Sequence, residues 1–202
     1  MTRSVILFGG TFSPPHLGHL TMATLAFEQA QADEVWFVPS PDPPHKQGLR
    51  HIPFQVRVNM VRALLSTDEA LVGRFSVSTL EDELARPSFT VDTVKVYKQR
   101  YPDVEFRFLI GSDSLFDLPT WHLAVELVSE IEFLVADRGS FPFELTLERV
   151  KTELPQLSAT RIVMPILEIS SSWIRQRMQD GLSVCGLVPN EVRKLLPPSY
   201  LS

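Results

Sequence analysis

The chain is poor in the residues that staple, anchor or give a protein a positive coat. One cysteine, Cys185, stands in 202 residues. That excludes an internal disulfide, and no C-x-x-C or Cys/His spacing suggests zinc. No apolar run approaches the ~20 residues that a membrane helix needs. The opening run Val5-Ile6-Leu7-Phe8 is too short for the core of a secretory signal. Basic residues number 19 against 24 acidic ones, a net charge of −5, so nothing in the total calls for nucleic acid or an acidic membrane as a partner. Repeats, low-complexity tracts and linker-like charge runs are missing too. What remains is 44% hydrophobic and 21% charged, ordinary for a globular domain able to close its own core. The expectation is one cytoplasmic domain over residues 1–202, with 170–202 as a C-terminal helical subregion.

Short β-rich runs alternate with helical patterns. Val5–Phe8, Val35–Val38, Phe75–Ser78, Phe106–Ile110, Ile131–Ala136 and Arg161–Met164 read as strands. Most are continuously apolar, as strands covered on both faces are. His19–Ala30, Gln55–Leu65, Val91–Arg100 and Leu123–Ser129 read as helices, followed by one from Ser170 to about Met178 and a short one within Pro189–Leu196. This alternation predicts an α/β fold: a doubly wound, mostly parallel sheet with a small C-terminal helical part. Pro39–Pro53, rich in proline, reads as a loop.

Two stretches carry chemistry. The first is Gly9-Gly10-Thr11-Phe12-Ser13-Pro14-Pro15-His16-Leu17-Gly18-His19, between the first strand and the first helix. Unpaired N–H groups and the positive end of a helix dipole converge at such a turn, which makes a phosphate cradle. His16 and His19, at helical spacing, share a face and can reach one anion. Gly18 between them permits close approach. The second stretch is Ser170-Ser171-Ser172-Trp173-Ile174-Arg175. Serines before a helix are usually only caps. Three adjacent hydroxyls with Arg175 folded back make an anion site, the second half of a triphosphate clamp.

With these motifs the chain resembles the HxGH nucleotidyltransferase superfamily, and within it the bacterial nicotinate-mononucleotide adenylyltransferases. The opening resembles their GGTFDPPHxGH, with Ser13 where the family has aspartate. Pro43-Pro44-His45-Lys46 resembles PPHK. Pro87-Ser88-Phe89-Thr90-Val91-Asp92-Thr93 resembles PSYTVDT. Ile110-Gly111-Ser112-Asp113-Ser114-Leu115, with Leu118 and Trp121, resembles IGxDxLxxLxxW. The late motif matches with serine for the usual threonine. The likeness runs in order from about residue 4 to about residue 178.

The resemblance implies a Rossmann-like nucleotidyltransferase fold and a reaction of ATP with nicotinate mononucleotide that yields nicotinate adenine dinucleotide and pyrophosphate. It implies an ATP site of Gly9, Gly10, Thr11, Phe12, His16, Gly18, His19, Gly111, Asp113, Ser170, Ser171, Ser172 and Arg175, with His16, His19, Lys46 and Arg175 catalytic. Thr11, Lys46, Thr90 and Trp121 would face the mononucleotide, Trp121 stacking on its pyridine ring, and Asp113 would take ribose hydroxyls. Mg2+ would bridge the phosphates through water, without a dedicated protein cage. The alternatives are a sibling transferase using nicotinamide mononucleotide or another phosphate acceptor, and a non-catalytic nucleotide-binding protein. A dinucleotide oxidoreductase is disfavoured because the first turn lacks GxGxxG. The oligomeric state stays open, a homo-oligomer included. Glu81-Asp82-Glu83 reads as a solvated turn, Trp36 as core, and Thr90 as a helix cap as well as a contact.

Overall fold

The computed structural model describes residues 2–41, 52–137, 139 and 141–197. Six strands form one sheet: β1 (Arg3–Gly10), β2 (Glu34–Pro39), β3 (Phe75–Val77), β4 (Val104–Gly111), β5 (Glu132–Ala136) and β6 (Ala159–Ile162). Their spatial order is β3-β2-β1-β4-β5-β6, and every neighbouring pair is parallel. The chain winds outward from β1 to β3, then returns to the other side of β1 and winds outward again. The strand order therefore reverses between β1 and β4, and a crevice opens at their carboxyl ends.

The apolar strands serve two faces at once, because successive side chains point to opposite sides. Val5 and Leu7 of β1 join Val38, Phe108, Phe133 and Val135 on one face, under α3 (Thr90–Arg100), α5 (Ala124–Glu130) and α6 (Phe143–Glu153). Ile6 and Phe8 point the other way, onto Met22, Ala23 and Ala26 of α1 (Leu17–Gln29) and Val61 of α2 (Phe54–Leu65). This is why the runs are continuous and why helices cover both faces. Trp36 is buried, as its place in a strand predicts.

A third apolar cluster joins Met60 and Leu64 of α2 to Ile174 and Met178 of α7 (Ser171–Gln179) and Val192 of α8 (Asn190–Arg193). Among the described residues no helix is long and apolar enough to cross a membrane.

The structure departs from the sequence reading at several elements. Helices α4 (Ser112–Asp117) and α6 are not anticipated; the buried face of α6 is Phe143, Thr146 and Val150, and the threonine interrupts the apolar stripe. The last strand lies two residues earlier than Arg161–Met164. Val163 leaves the ladder because the Gln29 side chain takes both its backbone groups, donating from Nε2 to its carbonyl at 2.8 Å and accepting its N–H at 2.9 Å. Thr90 is the first residue of α3 rather than its cap; Phe89, extended at φ −112°, holds that position without a side-chain bond.

Candidate active site

Over the carboxyl ends of β1 and β4 lies a cavity of about 350 Å³. Gly9, Gly10, Thr11, His19, Thr90, Gly111, Asp113 and Trp121 line it, together with Ser40, Glu81, Ser88, Phe89 and His122. The predicted residues Phe12, His16, Gly18, Ser170, Ser171, Ser172 and Arg175 stand outside that lining. Lys46, with Pro43, Pro44 and His45, lies outside the described residues.

Only one of the two imidazoles faces the cavity. His16 is 1% exposed and precedes α1 as its cap, with φ −150°. The His16 and His19 rings lie face to face, centroids 3.6 Å apart and 31° inclined. The close approach allowed at Gly18 is used by protein: a Cβ there would come 3.1 Å from His16 Nδ1. The His16 backbone N–H donates to His19 Nδ1 at 3.2 Å. That bond makes Nδ1 the acceptor and leaves the proton of the neutral ring on Nε2. Phe12 sits behind His19, centroids 5.0 Å apart, and packs edge-on against Phe8. Its ring is buried, so only its backbone, at the left-handed φ of 49°, is available to a ligand.

The late motif docks on this turn. Ser170 Oγ caps α7 by accepting the Trp173 N–H at 3.1 Å. Ser171 Oγ donates to the Pro14 carbonyl at 2.9 Å. Arg175 donates from Nη1 to the Ser13 carbonyl at 2.7 Å and from Nη2 to Ser172 Oγ at 3.0 Å. The two motifs therefore converge, with the hydroxyls and guanidinium engaged by protein groups. The Ser13 hydroxyl, where the family pattern has a carboxylate, is buried and has no hydrogen-bond partner among the described residues.

Trp121 is half-buried at the cavity wall, after the 3-10 turn Leu118–Thr120. Among the described residues no three His, Cys, Asp or Glu side chains gather as a metal set.

A cytidylyltransferase-like family model matches residues 7–177. A probable nicotinate-nucleotide adenylyltransferase of Exiguobacterium sibiricum is 44% identical over 192 residues, covering 94% of each chain. The chain belongs to the nicotinate-nucleotide adenylyltransferases. The Bacillus subtilis nicotinate-nucleotide adenylyltransferase is 37% identical over 98% of both chains. In fold, this member of the family is similar to the Plasmodium falciparum nicotinic acid mononucleotide adenylyltransferase solved with NaAD, at a TM-score of 0.76 and 22% identity over 98% of this chain and 93% of that one.

In this adenylyltransferase family member two charged residues matter that the motifs do not announce. Arg57 of α2 is 1% exposed. It donates to the carbonyls of Thr11 at 2.7 Å, Ile52 at 2.9 Å and Pro41 at 3.0 Å, so it braces the turn after β1. Its signal is an arginine in register with the buried Met60, Val61 and Leu64 of the same helix. The second residue is Glu81. The turn Leu80–Glu83 is not uniformly solvated: Asp82 and Glu83 are exposed, but Glu81 is 7% exposed. Burial pushes its carboxyl up to about 7, against hydrogen bonds from Thr93, Ser88 and Ser40 that pull it down.

Proposed function

We propose that the chain transfers the adenylyl group of ATP to nicotinate mononucleotide, giving nicotinate adenine dinucleotide and pyrophosphate, as a cytoplasmic step of NAD biosynthesis. The observation that carries the chemistry is His19: a ring on the wall of the switch-point cavity, oriented by the His16 backbone.

The mononucleotide phosphate attacks the α-phosphorus as the bond to the β-phosphate oxygen breaks. A phosphate monoester, with a second pKa near ~6, is largely ionised at neutral pH and needs no base. The protein's work is positioning and charge stabilisation. His19 donates from Nε2 to the oxygens where charge builds. His16, buried behind it, acts as its positioning residue. Arg175 with the Ser171 and Ser172 hydroxyls holds the departing pyrophosphate, and Lys46 adds a cation to the phosphates. Trp121 stacks on the pyridinium ring, whose charge suits an indole face. Thr90 faces the ring carboxylate, and Asp113 takes ribose hydroxyls. The oxygen donors of Thr11, Ser114 and Asp113 on the cavity wall suit a hard divalent cation. Mg2+, carried in on the triphosphate, would neutralise phosphate charge there. We further propose that residues 1–202 act as one domain, in which 170–202 supplies the pyrophosphate end.

Pyrophosphate release with ATP and each mononucleotide tests the reading. Nicotinate mononucleotide is expected to turn over; tight ATP binding without turnover on any acceptor would point instead to a nucleotide sensor. His19→Ala is expected to lower kcat by roughly 10²–10³, the loss typical of one transition-state donor, with ATP binding changed much less. A wild-type rate in that variant removes the role.

A further inference from the structure

The carboxyl of Glu81 is held by hydroxyls and borders the cavity. Thr93 Oγ1 donates to Oε1 at 2.9 Å and Ser88 Oγ to Oε2 at 3.3 Å; the Ser40 hydroxyl bonds it as well. These partners come from three places: the end of β2, the segment before α3, and α3 itself. None of the groups that shift its ionisation is a cation. It shares the cavity wall with its partner Ser88 and with Phe89, Thr90 and Trp121, of which Thr90 and Trp121 are assigned above to the pyridine ring. Hydroxyls both donate and accept, so this cluster accommodates Glu81 ionised or neutral.

We infer that Glu81 is a specificity-determining residue, which favours a ring carboxylate while its own carboxyl is neutral and a ring amide once it is ionised. The inference rests on the adenylyl-transfer reading. A neutral carboxyl donates a strong, charge-assisted bond to a carboxylate. An ionised one repels it in a poorly solvated pocket, yet accepts from an amide NH2. With the Glu81 carboxyl pushed up to about 7, the changeover falls near neutral pH, and the preference for the acid over the amide declines as pH rises through it.

Other titratable groups face the same space. His19, Asp113 and His122 line the cavity. The Tyr97 phenol of α3, bonded to Ser78, is held far above the ordinary tyrosine value by burial and stays neutral. Arg86 is paired with Asp82, and Arg100 with Glu83. The phosphate of the mononucleotide also titrates, near ~6. The phosphate and ribose are common to the acid and amide mononucleotides, so groups that face them cancel in a ratio. His122, which stacks on Phe89 with centroids 4.0 Å apart, need not cancel, and a Glu81 variant separates the two.

The test uses the full chain between pH 6 and 8.5. The KM for nicotinate mononucleotide and the competitive Ki for nicotinamide mononucleotide are measured, and their ratio Ki/KM is followed. In the wild type the ratio is expected to fall by about three- to tenfold with rising pH, the size of a coupling of up to about one pKa unit. Glu81→Gln, neutral throughout, is expected to hold it constant. Thr93→Val removes a bond that stabilises the ionised carboxyl, so the midpoint of the fall is expected to move to higher pH. This second variant decides the matter should Glu81→Gln fail to fold. A flat wild-type ratio, a wild-type slope in Glu81→Gln, or an unmoved midpoint in Thr93→Val each overturns the inference. Those results leave the adenylyl-transfer reading intact wherever the wild type turns over nicotinate mononucleotide; a wild type inert with every mononucleotide sinks the reading itself.

Discussion

Gly18 leaves room for an imidazole. A side chain there would press on His16, within 3.1 Å of Nδ1 and 3.2 Å of Cε1, and the ring cannot retreat from a buried site without disturbing His19. Gly18→Ala is therefore expected to lower kcat severalfold while leaving the KM values nearly unchanged, as steady-state kinetics would show. Glu81 makes a different demand on the fold. Its native carboxyl titrates at about 7 and its reference value is 4.5, so between those values the native state binds the extra proton. Stability then falls as pH rises through that window. Glu81→Gln is expected to unfold at higher temperature than the wild type at pH 8 and to lose that advantage near pH 4, in parallel thermal melts. Equal differences at both pH values would remove the burial argument.

At the scale of elements, the turn after β1 is held by braces on different helices. On α2, Arg57 satisfies three carbonyls at once. Arg57→Met leaves those groups to find other partners, at about 1–3 kcal/mol for each that stays unsatisfied. A drop in Tm of several degrees is expected, with Arg57→Lys recovering part of it. Trp121, on the segment between the 3-10 turn and α5, makes no such brace. Trp121→Ala is expected to raise the mononucleotide KM far more than the ATP KM, whereas equal effects on both would mean that it only packs. These contrasts also explain what the sequence can disclose. The strands were legible because burial on both faces demands unbroken apolar runs. The turn after β1 and the tip of α7 were legible because their residue types sit close together along the chain. Arg57 and Glu81 were not, since their partners lie on other elements: Thr11 and Pro41 for one, Ser40 and Thr93 for the other. Glu81 in particular sits among acidic neighbours that are exposed, and composition alone could not single it out. The two-residue shift of β6 has the same origin, because Gln29 is 134 positions from Val163 in sequence.

For the molecule as a whole, the third apolar cluster gives the C-terminal helices their place. Ile174, fully buried, neighbours Arg175 on α7. Ile174→Ala is expected to cost about 2–5 kcal/mol of stability and to lower kcat as well, since the same helix carries the contacts to Ser13 and Pro14. Calorimetry and turnover together check this; lost stability with unchanged kcat would uncouple that cluster from the site. The tie between α7 and the first turn joins residues 157 and 162 positions apart. A chain still emerging from the ribosome thus exposes its glycine turn long before the guanidinium that fastens it has been synthesised. On the proposed function, competence for turnover is expected only once α7 has been synthesised and has docked on that turn.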